Sequence, residues 1–152
     1  MSFVTVERRR FLEDLAALLI SWGMPAHSAY LYGYLLLRNE PVGLSEMAAD
    51  LRMSKSQACV AAKVLEETSN AKKSKEPGSK RVFYSAPDDY SGPFISQVDL
   101  MGSVTKLLQD KGPSVAFGNA STRLQELTAY CLAMRDAMDG VVRSFTRSNS
   151  KQ

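Results

Sequence analysis

At 152 residues the chain suffices for one domain, or one domain plus an assembly arm. With 45% hydrophobic and 23% charged residues it is globular, neither disordered nor membrane-embedded, and no apolar run reaches the length of a membrane span. The net charge of +3 does not by itself announce a nucleic-acid binder. Between Arg52 and Tyr84, however, eight cationic residues stand against three acidic ones, a local +5 that leaves the remainder slightly negative. Arg8-Arg9-Arg10 precedes an apolar run, but Glu13 and Asp14 interrupt it and no small-residue cleavage site follows, so no targeting segment is expected. Cys59 and Cys131 fall in separate helical patterns, which fits a reducing, cytoplasmic setting rather than a disulfide scaffold.

Residues 5–22 read as the first helix. Phe11, Leu15, Leu18 and Trp22 fall on one face, with Leu12 and Leu19 beside them. Gly23 ends it and Pro25 helps to start the next. Helix two runs from about Ala26 to Arg38 and is apolar nearly all round, so it should be central and buried. Gly33 suits the close approach of a neighbouring helix. Asn39, Glu40 and Pro41 end the helix, and Val42-Gly43-Leu44 is long enough only to add an edge strand to a sheet formed elsewhere.

Leu44 to Leu51 forms a short third helix, with Ser45 as the expected N-cap. Only Arg52 and Met53 separate it from Ser54-Lys55-Ser56-Gln57, an S-x-x-Q capping box that opens a fourth helix running to about Thr68. Two helices joined so tightly form a helix-turn-helix, whose second helix can enter a DNA major groove. Met47, Ala48 and Leu51 face inward on the first helix. Ala58, Ala61 or Ala62, and Leu65 do so on the second. The outward face of the second then carries Lys55, Ser56, Gln57, Cys59 and Lys63. Gln57 could read an adenine, or its side chain could complete the cap; both uses stand open. Next come Ala71 to Lys75, a Glu76-Pro77-Gly78-Ser79 turn, and Lys80 to Tyr84: a basic two-stranded hairpin, or wing.

This stretch resembles the winged helix-turn-helix of the MarR superfamily, most of all its GbsR-like branch. The residues that carry the likeness are Gly33 to Leu37, Asn39-Glu40-Pro41, Leu44 to Ala48, Met53 to Ser56, Leu65-Glu66-Glu67 and Pro77-Gly78. They keep their order and spacing over roughly residues 10 to 86. The resemblance implies a mainly α fold with a small wing sheet, and a transcription regulator, with repression as the expected sense. Such a regulator binds a pseudo-palindromic operator in double-stranded DNA as a homodimer. It implies contacts from Ser54, Lys55, Ser56, Gln57, Cys59 and Lys63 on the recognition helix, and from Lys75, Ser79, Lys80 and Arg81 on the wing. It also places the first and last helices in the dimer interface. The chain departs from the family in having Ser69-Asn70-Ala71 where a Gly and two apolar residues are usual, and Ser79 where an acid often follows the wing glycine.

Pro87 to Pro93 reads as a loop and divides a DNA-binding domain, residues 1–90, from a helical dimerisation arm, residues 91–152. Helix five is expected from about Phe94 to Asp110, faced by Phe94, Val98, Met101, Val104 and Leu108 and broken at Gly112-Pro113. An irregular stretch follows, with Asn119, Ser121 or Thr122 as the cap of the last helix. That helix repeats Leu124, Leu127, Cys131, Met134, Met138, Val141 and Phe145 by threes and fours, a heptad seam suited either to the subunit's own core or to a partner's helix. Arg147 to Gln152 reads as a frayed tail.

No enzymatic constellation is present, and no cofactor or metal is expected. His27 is the sole histidine, the cysteines form no C-x-x-C pair, and there is no Gly-rich phosphate loop. Trp22, Tyr30, Tyr32 and Tyr34 form a candidate effector pocket, because aromatic cages bind quaternary ammonium ions. The competing reading is that they simply fill the core. The alternative to a DNA-binding regulator is a winged-helix protein–protein interaction module, which the apolar Cys59-Val60 pair and Ser69-Asn70-Ala71 would suit.

Overall fold

The computed structural model describes the backbone of residues 2–150 and the side chains through residue 145. Its elements in chain order are α1 (Val6–Ser21), α2 (Ala26–Leu37), β1 (Val42–Gly43), α3 (Leu44–Leu51), α4 (Lys55–Glu67), β2 (Lys72–Lys75), β3 (Val82–Ser85), α5 (Gly92–Val115) and α6 (Asn119–Ser150). They form two compact units, Met1–Tyr90 and Ser91–Gln152.

The first unit is a winged helix-turn-helix. Its core joins Leu12 of α1, Leu31, Tyr34 and Leu35 of α2, Met47 of α3 and the alanine stripe of α4 to Val42 and Tyr84 of the sheet. The strands are antiparallel in the order β1-β3-β2, with Val42 opposite Tyr84 and Lys75 opposite Val82. The short Val42-Gly43 segment thus does add a third strand to the wing. All of Ala58, Ala61, Ala62 and Leu65 are buried. Small side chains there let α4 lie close to α2, and the Ser28 hydroxyl donates to the Ala61 carbonyl across that contact (3.3 Å).

Several expectations are corrected. The buried face of α1 is Leu12 and Ala16, whereas Phe11 and Leu18 are exposed and Trp22 is 89% exposed. The reason lies in Gly33. A Cβ there would sit 2.9 Å from Leu12 Cδ2 and 3.3 Å from Leu15 Cδ2, so α2 approaches α1 closely, over the face that carries Ala16. The N-cap of α3 is Gly43 rather than Ser45, which lies within the first turn.

In the second unit, α5 does not break at Gly112-Pro113 but continues to Val115. Proline forfeits one N–H, yet only two helical residues follow it. The Ser114 hydroxyl donates to the Lys111 carbonyl (2.8 Å) and the Ala116 amide to that of Gly112 (3.0 Å). Asn119, Ser121 and Thr122 all lie inside α6. Gly118, at φ +59°, precedes the helix, and its carbonyl accepts from the Thr122 amide (3.2 Å). The helix continues through Arg147 to Ser150, where a frayed tail was expected; Lys151 and Gln152 lie outside the described residues.

Candidate nucleic-acid interface

The helix-turn-helix is held by backbone and cap hydrogen bonds at both ends of its turn. Past α3, Arg52 takes the left-handed conformation (φ 55°, ψ 44°). The Met53 amide donates to the Ala48 carbonyl (3.0 Å) and the Arg52 amide to that of Ala49 (3.3 Å), which closes the helix end. Two residues later the capping box is complete. The Gln57 amide donates to Ser54 Oγ (3.0 Å), and the Ser54 amide donates to Gln57 Oε1 (2.9 Å). A bidentate adenine contact needs both Oε1 and Nε2 of Gln57, and Oε1 is already engaged.

Lys55, Ser56, Gln57 and Lys63 are exposed along the outward face of α4, Cys59 is half-buried, and Val60 between them is 64% exposed. At the far end, Ser69 is left-handed (φ 61°). Its amide donates to the Glu66 carbonyl (3.1 Å) and that of Asn70 to Leu65 (2.7 Å), the Schellman arrangement. A serine therefore holds a left-handed backbone conformation that glycine adopts without steric cost.

In the wing, Pro77 and Gly78 (φ 76°) occupy the centre of the turn closed by the Ser79 amide donating to the Glu76 carbonyl (3.1 Å). Ser79 Oγ then accepts from the Arg81 amide (3.0 Å), so the Ser79 hydroxyl supports the turn as well as facing outward in part. The Arg81 guanidinium lies 5.5 Å from the Phe83 ring centre. Lys72 is tied to Asp88 at 2.7 Å. Lys75 stays exposed at the end of β2.

The wing and the start of α4 meet around a groove of about 290 Å³, where Lys55, Lys80 and Arg81 are joined by Ser45, Glu46 and Phe83. The sequence-predicted cations Lys55, Lys80 and Arg81 are thus brought together, whereas Lys63 and Lys75 lie outside the groove. Among the described residues, no ion pair engages Lys55, Lys80 or Arg81. Such a groove can take an anion the size of a phosphate. Sequence reasoning missed Ser45 and Glu46 as its other wall, because their place depends on β1 delivering α3 against the wing.

Glu46 is not loose in that groove. Arg38, at the end of α2, holds its carboxylate at 3.0 Å and stands 4.0 Å from Asp50. The Arg38 guanidinium lies over the rings of Phe3 (4.6 Å) and Tyr34 (5.7 Å). Tyr34 is fully buried and its hydroxyl donates to Asp50 Oδ2 (2.6 Å). Burial first, and then this bond to a carboxylate, push the Tyr34 phenol well above the ordinary tyrosine range.

The four candidate effector aromatics do not form a cage within this unit. Tyr34 offers no open face, Tyr30 and Tyr32 pack against the core, and Trp22 stands in solvent. None of them lines the larger cavity, about 530 Å³ between α5 and α6, whose walls are mainly apolar.

The α6 seam divides into two rows. Cys131 is 5% exposed, and Leu124 and Met138, seven residues to either side, are half-buried. The Cβ position of Gly112 on α5 is only 3.4 Å from Leu124 Cδ1. The intervening row is open, with Leu127 45% and Val141 59% exposed and Met134 and Phe145 also outward.

Among the described residues, no group of three His, Cys, Asp or Glu side chains could hold a metal ion, and no helix is long and apolar enough to cross a membrane. The fold and this surface define a winged helix-turn-helix protein with a basic groove between recognition helix and wing. A solved structure of a transcriptional regulator is similar over 93% of this chain and 99% of its own, with a TM-score of 0.78 and 17% identity. No family model matches the chain, and no curated protein matches it in sequence.

Proposed function

We propose that the protein is a DNA-binding transcriptional regulator of the MarR type, GbsR-like in its branch, which acts as a homodimeric repressor on a pseudo-palindromic operator. The observation that carries this reading is the convergence of Lys55, Lys80 and Arg81, without acidic partners among the described residues, on one groove beside the exposed start of α4. In this mechanism α4 enters the major groove, Ser56 and Lys63 face base edges or phosphates, and Val60 lies where a thymine methyl would meet it. Lys80, Arg81 and Lys75 neutralise flanking phosphates. The solved transcriptional regulator of like fold supports the same class.

Dimerisation is assigned to the open row of α6, Leu127, Met134, Val141 and Phe145, together with the exposed stripe of α1. Two apolar rows left in solvent on separate helices are costly unless a partner covers them. Two reading heads about 34 Å apart would then address successive turns of one face of the duplex.

The test is fluorescence anisotropy on a mixed pool of duplex DNA across a salt series, with the Lys80→Ala/Arg81→Ala variant alongside. Four cations are lost per dimer, so the slope of log K against log salt should fall by up to about 3 to 4. An unchanged slope would remove the wing from phosphate binding. The second reading, a protein-interaction module, is favoured by Val60 at the centre of the α4 surface. It predicts elution from heparin at low salt.

A further inference from the structure

The groove that gathers Lys55, Lys80 and Arg81 also contains one carboxylate, Glu46. An acid on the wall of an anion site ordinarily spoils it, either by pairing with the cations or by repelling the incoming phosphate. Here the three cations have no acidic partner among the described residues, while Glu46 is bound from behind by Arg38 at 3.0 Å. The two ends of that pair are unlike. The Arg38 side chain is 16% exposed and fixed among Phe3, Tyr34 and Asp50, whereas that of Glu46 is 54% exposed and pairs, among the described residues, with Arg38 alone. The fixed partner therefore decides where the carboxylate points.

We infer that Arg38 is a positioning residue for DNA binding: it holds the Glu46 carboxylate away from Lys55, Lys80 and Arg81 and so keeps their groove open to phosphate. The inference rests on the reading of that groove as a phosphate site. Arg38 itself lies behind Glu46, at the end of α2, and makes no contact with DNA in this scheme. Its action is electrostatic and passes through one other side chain. Without it, Glu46 turns to the nearest unpaired cations, and one of the three positive charges is cancelled before DNA arrives.

The scheme separates from a merely structural role because it predicts rescue. Anisotropy is measured with the full chain on one mixed duplex pool at fixed salt for wild type, Arg38→Met, Glu46→Gln, the double variant and Lys80→Ala/Arg81→Ala. Methionine keeps an apolar surface against Phe3 and Tyr34, and melting curves establish which variants are folded. Arg38→Met is expected to weaken binding roughly five-fold, the scale of one exposed charge pair. Glu46→Gln alone should stay within about two-fold of wild type, because its charge is already withheld. The double variant should return to wild-type affinity. A double variant as weak as Arg38→Met overturns the inference, as does an Arg38→Met protein that binds normally. Should Arg38→Met fail to fold, Glu46→Gln still decides: a large gain in its affinity would mean that Glu46 obstructs the groove despite Arg38, and the inference falls. Wild type and the Lys80/Arg81 variant binding alike would instead refute the phosphate reading itself, and this inference with it.

Discussion

Replacing Ser69 by glycine should stabilise the protein. Ser69 sits at φ 61° directly past α4, where a side chain meets its own backbone. A left-handed non-glycine residue costs about 1–2 kcal/mol. Glycine removes that cost but loosens the unfolded chain, which returns about 0.4–1 kcal/mol. The Ser69 side chain is exposed and no hydrogen bond of its hydroxyl offsets the balance among the described residues. The net gain is therefore about 0.5–1 kcal/mol, or roughly 2–8 °C in Tm for a unit of this size. Urea and thermal unfolding of wild type, Ser69→Gly and Ser69→Ala would measure it. The glycine variant should raise the midpoint at constant slope, and the alanine variant should not. Because Ser69 carries no charge, DNA affinity should be untouched. A glycine variant no more stable than wild type would refute the argument that this helix end is strained.

Other substitutions test the packing and the surface. Gly33→Ala should destabilise by about 1 kcal/mol, because its Cβ meets the buried Leu12 at 2.9 Å and better helix propensity offsets that only in part, and Gly33→Val should cost more, up to about 3 kcal/mol; chemical denaturation measures both. Gln57→Ala should lower stability by about 0.5–1 kcal/mol and leave operator preference intact, since its Oε1 is spent on the Ser54 amide; a changed base preference in a selected DNA pool would return Gln57 to the reading residues. Leu127→Glu with Val141→Glu should convert a dimer to a monomer by light scattering, and a persistent dimer would move the interface elsewhere.

The elements that were legible in the sequence are those fixed by short-range hydrogen bonds. Ser54 and Gln57 can satisfy each other across one helical turn whatever surrounds them, so the start of α4 followed directly from four residues. Pro77-Gly78 likewise defines its own turn. The inner face of α1 did not follow, because two apolar stripes compete there and size favours the wrong one. Phe11, Leu18 and Trp22 outweigh Leu12 and Ala16 in hydrophobicity, but it is Leu12 and Leu15 that meet the glycine on α2. At Gly112-Pro113 position within the helix decides: proline penalises the helix turn behind it, and so near the end of α5 little is lost. In the groove, Lys55, Lys80 and Arg81 were each visible as basic residues. Their meeting, and the Arg38–Glu46 pair behind them, required the tertiary fold.

The seam of α6 marks a more general limit of periodicity. A three-four alternation says that one broad side of a helix is apolar, and it says so equally for packing within a subunit and between subunits. Here the same alternation serves two neighbours. Cys131, flanked by Leu124 and Met138, gives the row consistent with packing on α5, beside Gly112, and that packing leaves Leu127, Met134 and Val141, about 40–60° round the helix, exposed. A helix whose seam were wholly internal would bury both rows, and one whose seam were wholly intermolecular would leave both open. In the proposed dimer, the divided burial gives this helix one neighbour from its own chain and would give it another from a second copy. Phe11, Leu18 and Trp22 of α1, exposed beside the face that meets Gly33, are the other open apolar group that such an assembly would have to cover.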